Sequence, residues 1–122
     1  MISILGNTRK PDVNFLACGR ISISARVAKV LNLAPGDVID LMDDNGETYL
    51  YVKHRAPVVG RHEGMIFRSN PRGRHFIASS VRLCRYIFSK CNTTQKVALC
   101  CGPVVNLPAH GIAMPIITKL PL

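Results

Sequence analysis

The alternation in Arg20-Ile21-Ser22-Ile23 puts Ile21 and Ile23 on one face of a half-buried strand and Arg20 and Ser22 on the other. Ser24 follows as a helix N-cap. Val27, Val30 and Leu31 then fall at i, i+3 and i+4, which predicts a helix of about two turns that buries one stripe and exposes Arg26 and Lys29. So short a helix is unstable alone in water, so the neighbouring sheet must hold it. Pro35-Gly36 is expected to stop it. Val38, Asp40 and Met42 alternate with Ile39 and Leu41 in a second strand. Asp44-Asn45-Gly46 supplies residues that tolerate the positive φ angles of a tight hairpin, and Thr48 to Val52 forms the return strand.

The rest of the chain carries similar signals. A polar, turn-rich piece at residues 7–12 leads into a strand at Val13 to Ala17, with the role of residues 1–14 left open. Residues 56–74 are punctuated by Pro57, Gly60, Gly64, Pro71 and Gly73, which predicts loops around one short strand at Met65 to Phe67. Gly73 to Val81 can be laid on Gly19 to Val27 at an offset of 54, with Gly, Arg, Ile and Val coinciding. A second helix follows on the stripe Val81, Cys84 and Phe88. Strand-like runs at Lys96 to Cys101 and Ile112 to Thr118 are joined through Gly102-Pro103 and Ala109-His110-Gly111. Pro115 would demote the last strand to an edge or a bulge. Each half reads strand, helix, strand, strand: one compact domain, 1–122, with repeats 19–55 and 73–119 joined by an Arg-rich loop region, 56–72. Duplication and coincidence both stay open.

The segment Gly19-Arg20-Ile21-Ser22-Ile23, the helix Arg26 to Leu33, and Pro35-Gly36-Asp37-Val38 before the hairpin resemble the AbrB-type swapped-hairpin family of bacterial transition-state regulators and antitoxin DNA-binding domains. The likeness covers a little over a quarter of the chain. It departs from the family at Ser24, where proline is usual, and at Ala28, where a basic residue is frequent. The resemblance implies a β-rich α+β fold, a small swapped-hairpin barrel with short helices, and double-stranded DNA as partner. The site residues it implies are Arg20, after the glycine, and Lys29 on the helix, with Arg26 added from its place on the exposed helix face. That family builds its barrel from two identical chains. A duplicated chain would supply both halves itself, so closure within one chain and closure in a homodimer are both open.

Charge adds weight to the DNA reading. The chain has 122 residues, 48% of them hydrophobic, and a net charge of +9. Residues 1–63 hold eight Lys/Arg and all seven Asp/Glu, whereas residues 64–122 hold eight Lys/Arg and no carboxylate side chain. Lys53, Arg55, Arg61, Arg68, Arg72, Arg74, Arg82 and Arg85 stand against Glu63 alone. Such a field attracts polyanions, which makes Arg61, Arg68, Arg72 and Arg74 candidate DNA contacts beside Arg20, Arg26 and Lys29. The competing uses are a solubilising surface or the docking of an acidic protein, as in an antitoxin-like or adaptor module. For Arg20 the alternative is an internal pair with Asp37 or Asp40.

Catalysis and metal binding find no support. Cys84 and Cys91 are too far apart, and Cys100-Cys101 too close, for paired ligands on one zinc ion. No nucleophile elbow or phosphate-binding Gly-rich loop is present. The expectation is therefore a non-enzyme without metal or cofactor, with packed thiols, one of Cys100 and Cys101 facing the core. Tyr49, Tyr51, Phe67, Phe76 and Tyr86 are expected to pack rather than to stack on bases. No apolar run is long enough to span a bilayer, and Met1 to Gly6 lacks the features of a signal peptide, so the expected location is cytoplasmic.

Overall fold

The computed structural model describes residues 11–56, 59–60, 62–68 and 75–118. These form two antiparallel sheets and two helices, a β-rich α+β fold. Strands β1 (Val13–Leu16), β2 (Arg20–Ile23), β5 (Phe67–Arg68), β6 (Phe76–Ser79) and β7 (Lys96–Leu99) make a five-stranded sheet in the order β5-β6-β2-β1-β7. Strands β3 (Val38–Asp44), β4 (Glu47–His54), β8 (Val105–Leu107) and β9 (Gly111–Ile116) make a four-stranded sheet in the order β3-β4-β9-β8. Helix α1 is Ala25–Val30 and helix α2 is Val81–Cys91.

The strand periodicity fixes which side chains meet. In the five-stranded sheet Val13, Phe15, Ile21, Ile23, Phe76, Ala78, Val97 and Leu99 point inward. They join Ile39, Leu50, Met114 and Ile116 of the second sheet and Val27, Leu31, Cys84, Ile87 and Phe88 of the helices in one core. Burial on this scale is the main favourable term in folding.

Helix α1 begins as expected on the Ser24 cap, and α2 begins on a serine as well. Ser24 Oγ accepts the Val27 N–H, and Ser80 Oγ accepts the Leu83 N–H. The end of α1 differs from expectation. Asn32 takes a left-handed conformation, φ 53°, its N–H bonding to Lys29 and that of Leu33 to Ala28. This closing pattern cuts the helix before Pro35-Gly36. In the β3–β4 hairpin Asn45 and Gly46 both have positive φ, 53° and 84°, as a two-residue turn compatible with strand twist demands.

The described residues do not form a closed barrel. Among the described residues the two sheets touch in strand pairing only at single rungs, Val38 with Met65 and Cys101 with Ile116. The first seam ends at Gly64, whose φ is 83° and where an added Cβ would lie 2.6 Å from the Ile39 carbonyl oxygen. The second ends at Gly102-Pro103, after Gly102 N–H bonds to the Pro115 carbonyl. The halves nonetheless interlock. The strand after α1 meets the segment before β6, and the strand after α2 pairs with β1, the strand before β2.

Two further expectations are corrected. Pro115 lies in β9, an interior strand between β4 and β8. Its carbonyl faces Gly102, so its missing N–H faces the same way, beyond the end of β8, and the β4 ladder is not interrupted. The two capped strand–helix units also repeat at a different offset. Ser24 and Ser80 stand 56 positions apart, as do the starts of β2 and β6, so the position matching Arg20 is Phe76 rather than Arg74.

Candidate nucleic-acid interface

The folded chain separates its charges. All seven carboxylates lie in the described residues, and five are ion-paired: Asp12 with Arg26, Asp37 with Arg55, Asp40 with Lys53, Asp43 with Lys90, and Glu63 with Arg82. The other two, Asp44 and Glu47, flank the β3–β4 turn, where Glu47 accepts the Tyr49 hydroxyl. Among the described residues Arg20, Lys29, Arg68, Arg85 and Lys96 are exposed cations without an ion-pair partner.

Three of these five belong to the five-stranded sheet. Because side chains alternate across a strand, the face turned away from the core presents Phe67, Ile77, Ser22, Asn14 and Ala98 as one row of directly opposed residues across all five strands. One step along the strands stand Ser79 opposite Arg20, and Leu16 opposite Lys96. Two carboxylates lie at its margins: Glu63, which shares a concavity with Gly19 and Ser79 and is bonded to Ser80 and Arg82, and Asp12, which precedes β1 and is only 3% exposed. Asp12 accepts the Cys101 N–H at 2.7 Å and pairs with Arg26 at 3.1 Å. The face therefore sets two exposed cations, Arg20 and Lys96, among the polar Asn14, Ser22 and Ser79 and the apolar Phe67, Ile77, Ala98 and Leu16.

Each expected contact has a distinct setting. Arg20 is exposed at the start of β2 and pairs with neither Asp37 nor Asp40; Asp37 is held by Arg55, and Asp40 by Lys53 and Tyr51. Arg68 ends the two-residue edge strand β5, opposite Phe76. Lys29 is exposed in the last turn of α1, where its charge suits the helix dipole. Arg26 serves the fold, its guanidinium bonding to Asp12 and to the Cys101 carbonyl. Arg61, Arg72 and Arg74 lie outside the described residues. Sequence reasoning missed Lys96, although alternation from Val97 and Leu99 would have turned it outward. It also placed Phe67 in the packing, whereas the residue is 52% exposed.

A second concavity lies beside the start of α2, lined by Asp40, Lys53, His54, His62, Glu63, Ser80 and Arg82 among others. Its groups already bond to one another. Ser80 donates to Glu63 at 2.7 Å, and Arg82 Nε reaches both Glu63 oxygens at 2.9 and 3.1 Å. The Arg82 contact, then that of Ser80, holds the Glu63 carboxyl below its ordinary range. The buried Cys84 and half-buried Cys91 thiols are pushed up by burial, which disfavours thiolate chemistry. Of the adjacent pair, Cys101 is buried and Cys100 half-buried.

No helix among the described residues is long and apolar enough to cross a membrane, and those residues contain no cluster of His, Cys, Asp and Glu able to hold a metal ion. Compared with known families, curated proteins and solved structures, the chain matches none.

Proposed function

We propose that the protein binds DNA through the outward face of the five-stranded sheet, as a regulator of transcription of the kind that residues 19–52 resemble. The observation that carries this is the separation of charge. Five carboxylates are ion-paired within the fold, while on the outward sheet face Arg20 and Lys96 stand without an ion-pair partner among the described residues. Cations already paired have little to offer a phosphate, whereas unpaired exposed ones release counterions from DNA when they bind. Ser22, Ser79 and Asn14 add neutral donors for the sugar-phosphate backbone. Double-stranded DNA is the form the resemblance implies, with sequence preference arising partly from DNA shape.

The test is a salt titration. Affinity for a mixed-sequence duplex should fall with a log–log slope of about −0.9 per phosphate engaged. Changing Arg20 and Lys96 together to Ala should weaken binding and reduce that slope by about one for each residue that contacts phosphate. An affinity independent of salt, or none in dilute salt, would refute the proposal.

A further inference from the structure

The outward sheet face carries one group that phosphate binding does not use. Phe67 sits on the edge strand β5, 52% exposed as a residue, directly opposite Ile77 on the outward face. Ile77 stands in turn opposite Ser22. Among the described residues the backbone of Phe67 is held by pairing with β6 alone.

We infer that Phe67 is a stacking residue for an unpaired base, so that this face takes single-stranded nucleic acid as well as duplex. The inference rests on the DNA-binding proposal and narrows its substrate. A closed duplex offers the ring no free base face, since its bases are stacked on one another. A single strand offers one at every nucleotide. Sequence-tolerant binders of single strands combine cations that track the backbone with aromatic rings under the bases, and both components are present. Arg68, the next residue along β5, alternates to the opposite face beside Phe76, so the cations of this face are Arg20 and Lys96. Arg20 lies two strands across and one step along, about 12 Å away by strand geometry. Ile77 gives the stacked base an apolar floor, while Ser22, Ser79 and Asn14 offer hydrogen-bond partners to base edges without selecting one base by charge.

The chain contains no tryptophan, which provides a direct test. Phe67→Trp keeps a stacking ring and makes it the sole indole, whose fluorescence a stacked base quenches. Phe67→Ala removes the ring. Binding of a short oligothymidylate and of a mixed-sequence duplex is measured for the native chain and both variants, with thermal unfolding as the control for fold. The expected result is at least about a five-fold loss of oligothymidylate affinity in Phe67→Ala, near-native affinity in Phe67→Trp with quenching on addition of oligothymidylate, and duplex affinity unchanged in both. Unchanged oligothymidylate affinity in Phe67→Ala, or an indole unquenched at saturation, overturns the inference while leaving duplex binding intact. Failure of the native chain to bind either nucleic acid overturns the DNA-binding proposal itself.

Discussion

Arg26 and Asp12 form a two-pronged ion pair, Nε to Oδ1 at 3.1 Å and Nη2 to Oδ2 at 3.3 Å, that clasps the backbone of Cys101. The Asp12 carboxylate accepts the Cys101 N–H, and the Arg26 guanidinium donates to the Cys101 carbonyl. Three parts of the chain far apart in sequence are tied here: the entry to β1, helix α1 and the end of β7. Because Asp12 is buried, loss of its partner leaves a poorly solvated carboxylate. Because Arg26 is itself partly exposed, the penalty is moderated by water. Arg26→Ala should therefore lower unfolding free energy by about 1–3 kcal/mol in a denaturant titration. Arg20→Ala should change it by less than about 0.5 kcal/mol, since no described residue pairs with Arg20. Equal effects of the two changes would contradict the assignment of one arginine to the fold and the other to the surface.

Asp37 plays a comparable part at the other end of α1. Its carboxylate accepts the N–H groups of Ala34 and Ala56 and the Arg55 guanidinium, while Arg55 also donates to the carbonyls of Leu31 and Asn32. The helix end, the Pro35-Gly36 turn and the exit from β4 thus share one buried charge. Asp37→Ala removes the acceptor of two backbone donors and strands Arg55 beside the helix end. A loss of about 2–4 kcal/mol is expected, seen as a lower unfolding midpoint. Asp37→Asn, which keeps an acceptor oxygen, should lose less.

Acid should weaken the contacts beside α2 in a defined direction. The Glu63 carboxyl is held below its ordinary value of 4.5 by Arg82 and then Ser80, and Asp43 below 3.8 by Lys90 and then Tyr86. A carboxyl whose folded-state value is lowered binds protons less readily than in the unfolded chain. Its stabilising share is complete above the ordinary value and is lost as pH falls through the lowered one. Unfolding midpoints measured from neutral pH downward should fall below about pH 4.5. Arg82→Gln should flatten the part due to Glu63 without altering the part due to Asp43. A raised midpoint in acid would reverse the sign of this argument.

The local grammar of residues 19–52 was legible because each feature there is decided by neighbours in sequence. The Ile21/Ile23 alternation, the Ser24 cap and the Asn45-Gly46 turn depend on a few adjacent residues and appear as expected. The role of Arg26 was not legible, since its partner Asp12 lies 14 residues away, just before β1, and Cys101 is brought in by the β1–β7 pairing. Helix α1 was read too long for a related reason. Asn32 can occupy either a helical or a left-handed position, and the Leu33 N–H bond to Ala28 decides it. The face around Arg20 was half visible. Alternation showed which way Arg20 and Ser22 point, but not that β6 and β5 would set Ile77 and Phe67 in the same row.

Gly19 explains why the Gly-Arg pair opens β2. Its φ is 96°, and a Cβ built there would lie 2.8 Å from the Val81 Cγ2 and 3.1 Å from the Val81 nitrogen. The Gly19 carbonyl also accepts the Ser80 N–H at 2.8 Å, so the turn before β2 is pressed against the first turn of α2. Gly19→Ala meets both obstacles together. The side chain of Val81 can rotate away, but its backbone cannot, and the left-handed conformation is unfavourable for alanine in any case. The substitution should cost about 1–3 kcal/mol, read as a reduced unfolding midpoint. Because Arg20 follows directly, it should also shift Arg20 at the start of β2 and weaken DNA binding beyond what stability alone explains. Gly46→Ala, at a positive φ but with open space around the added methyl, is the control: it should cost stability while leaving DNA binding unchanged.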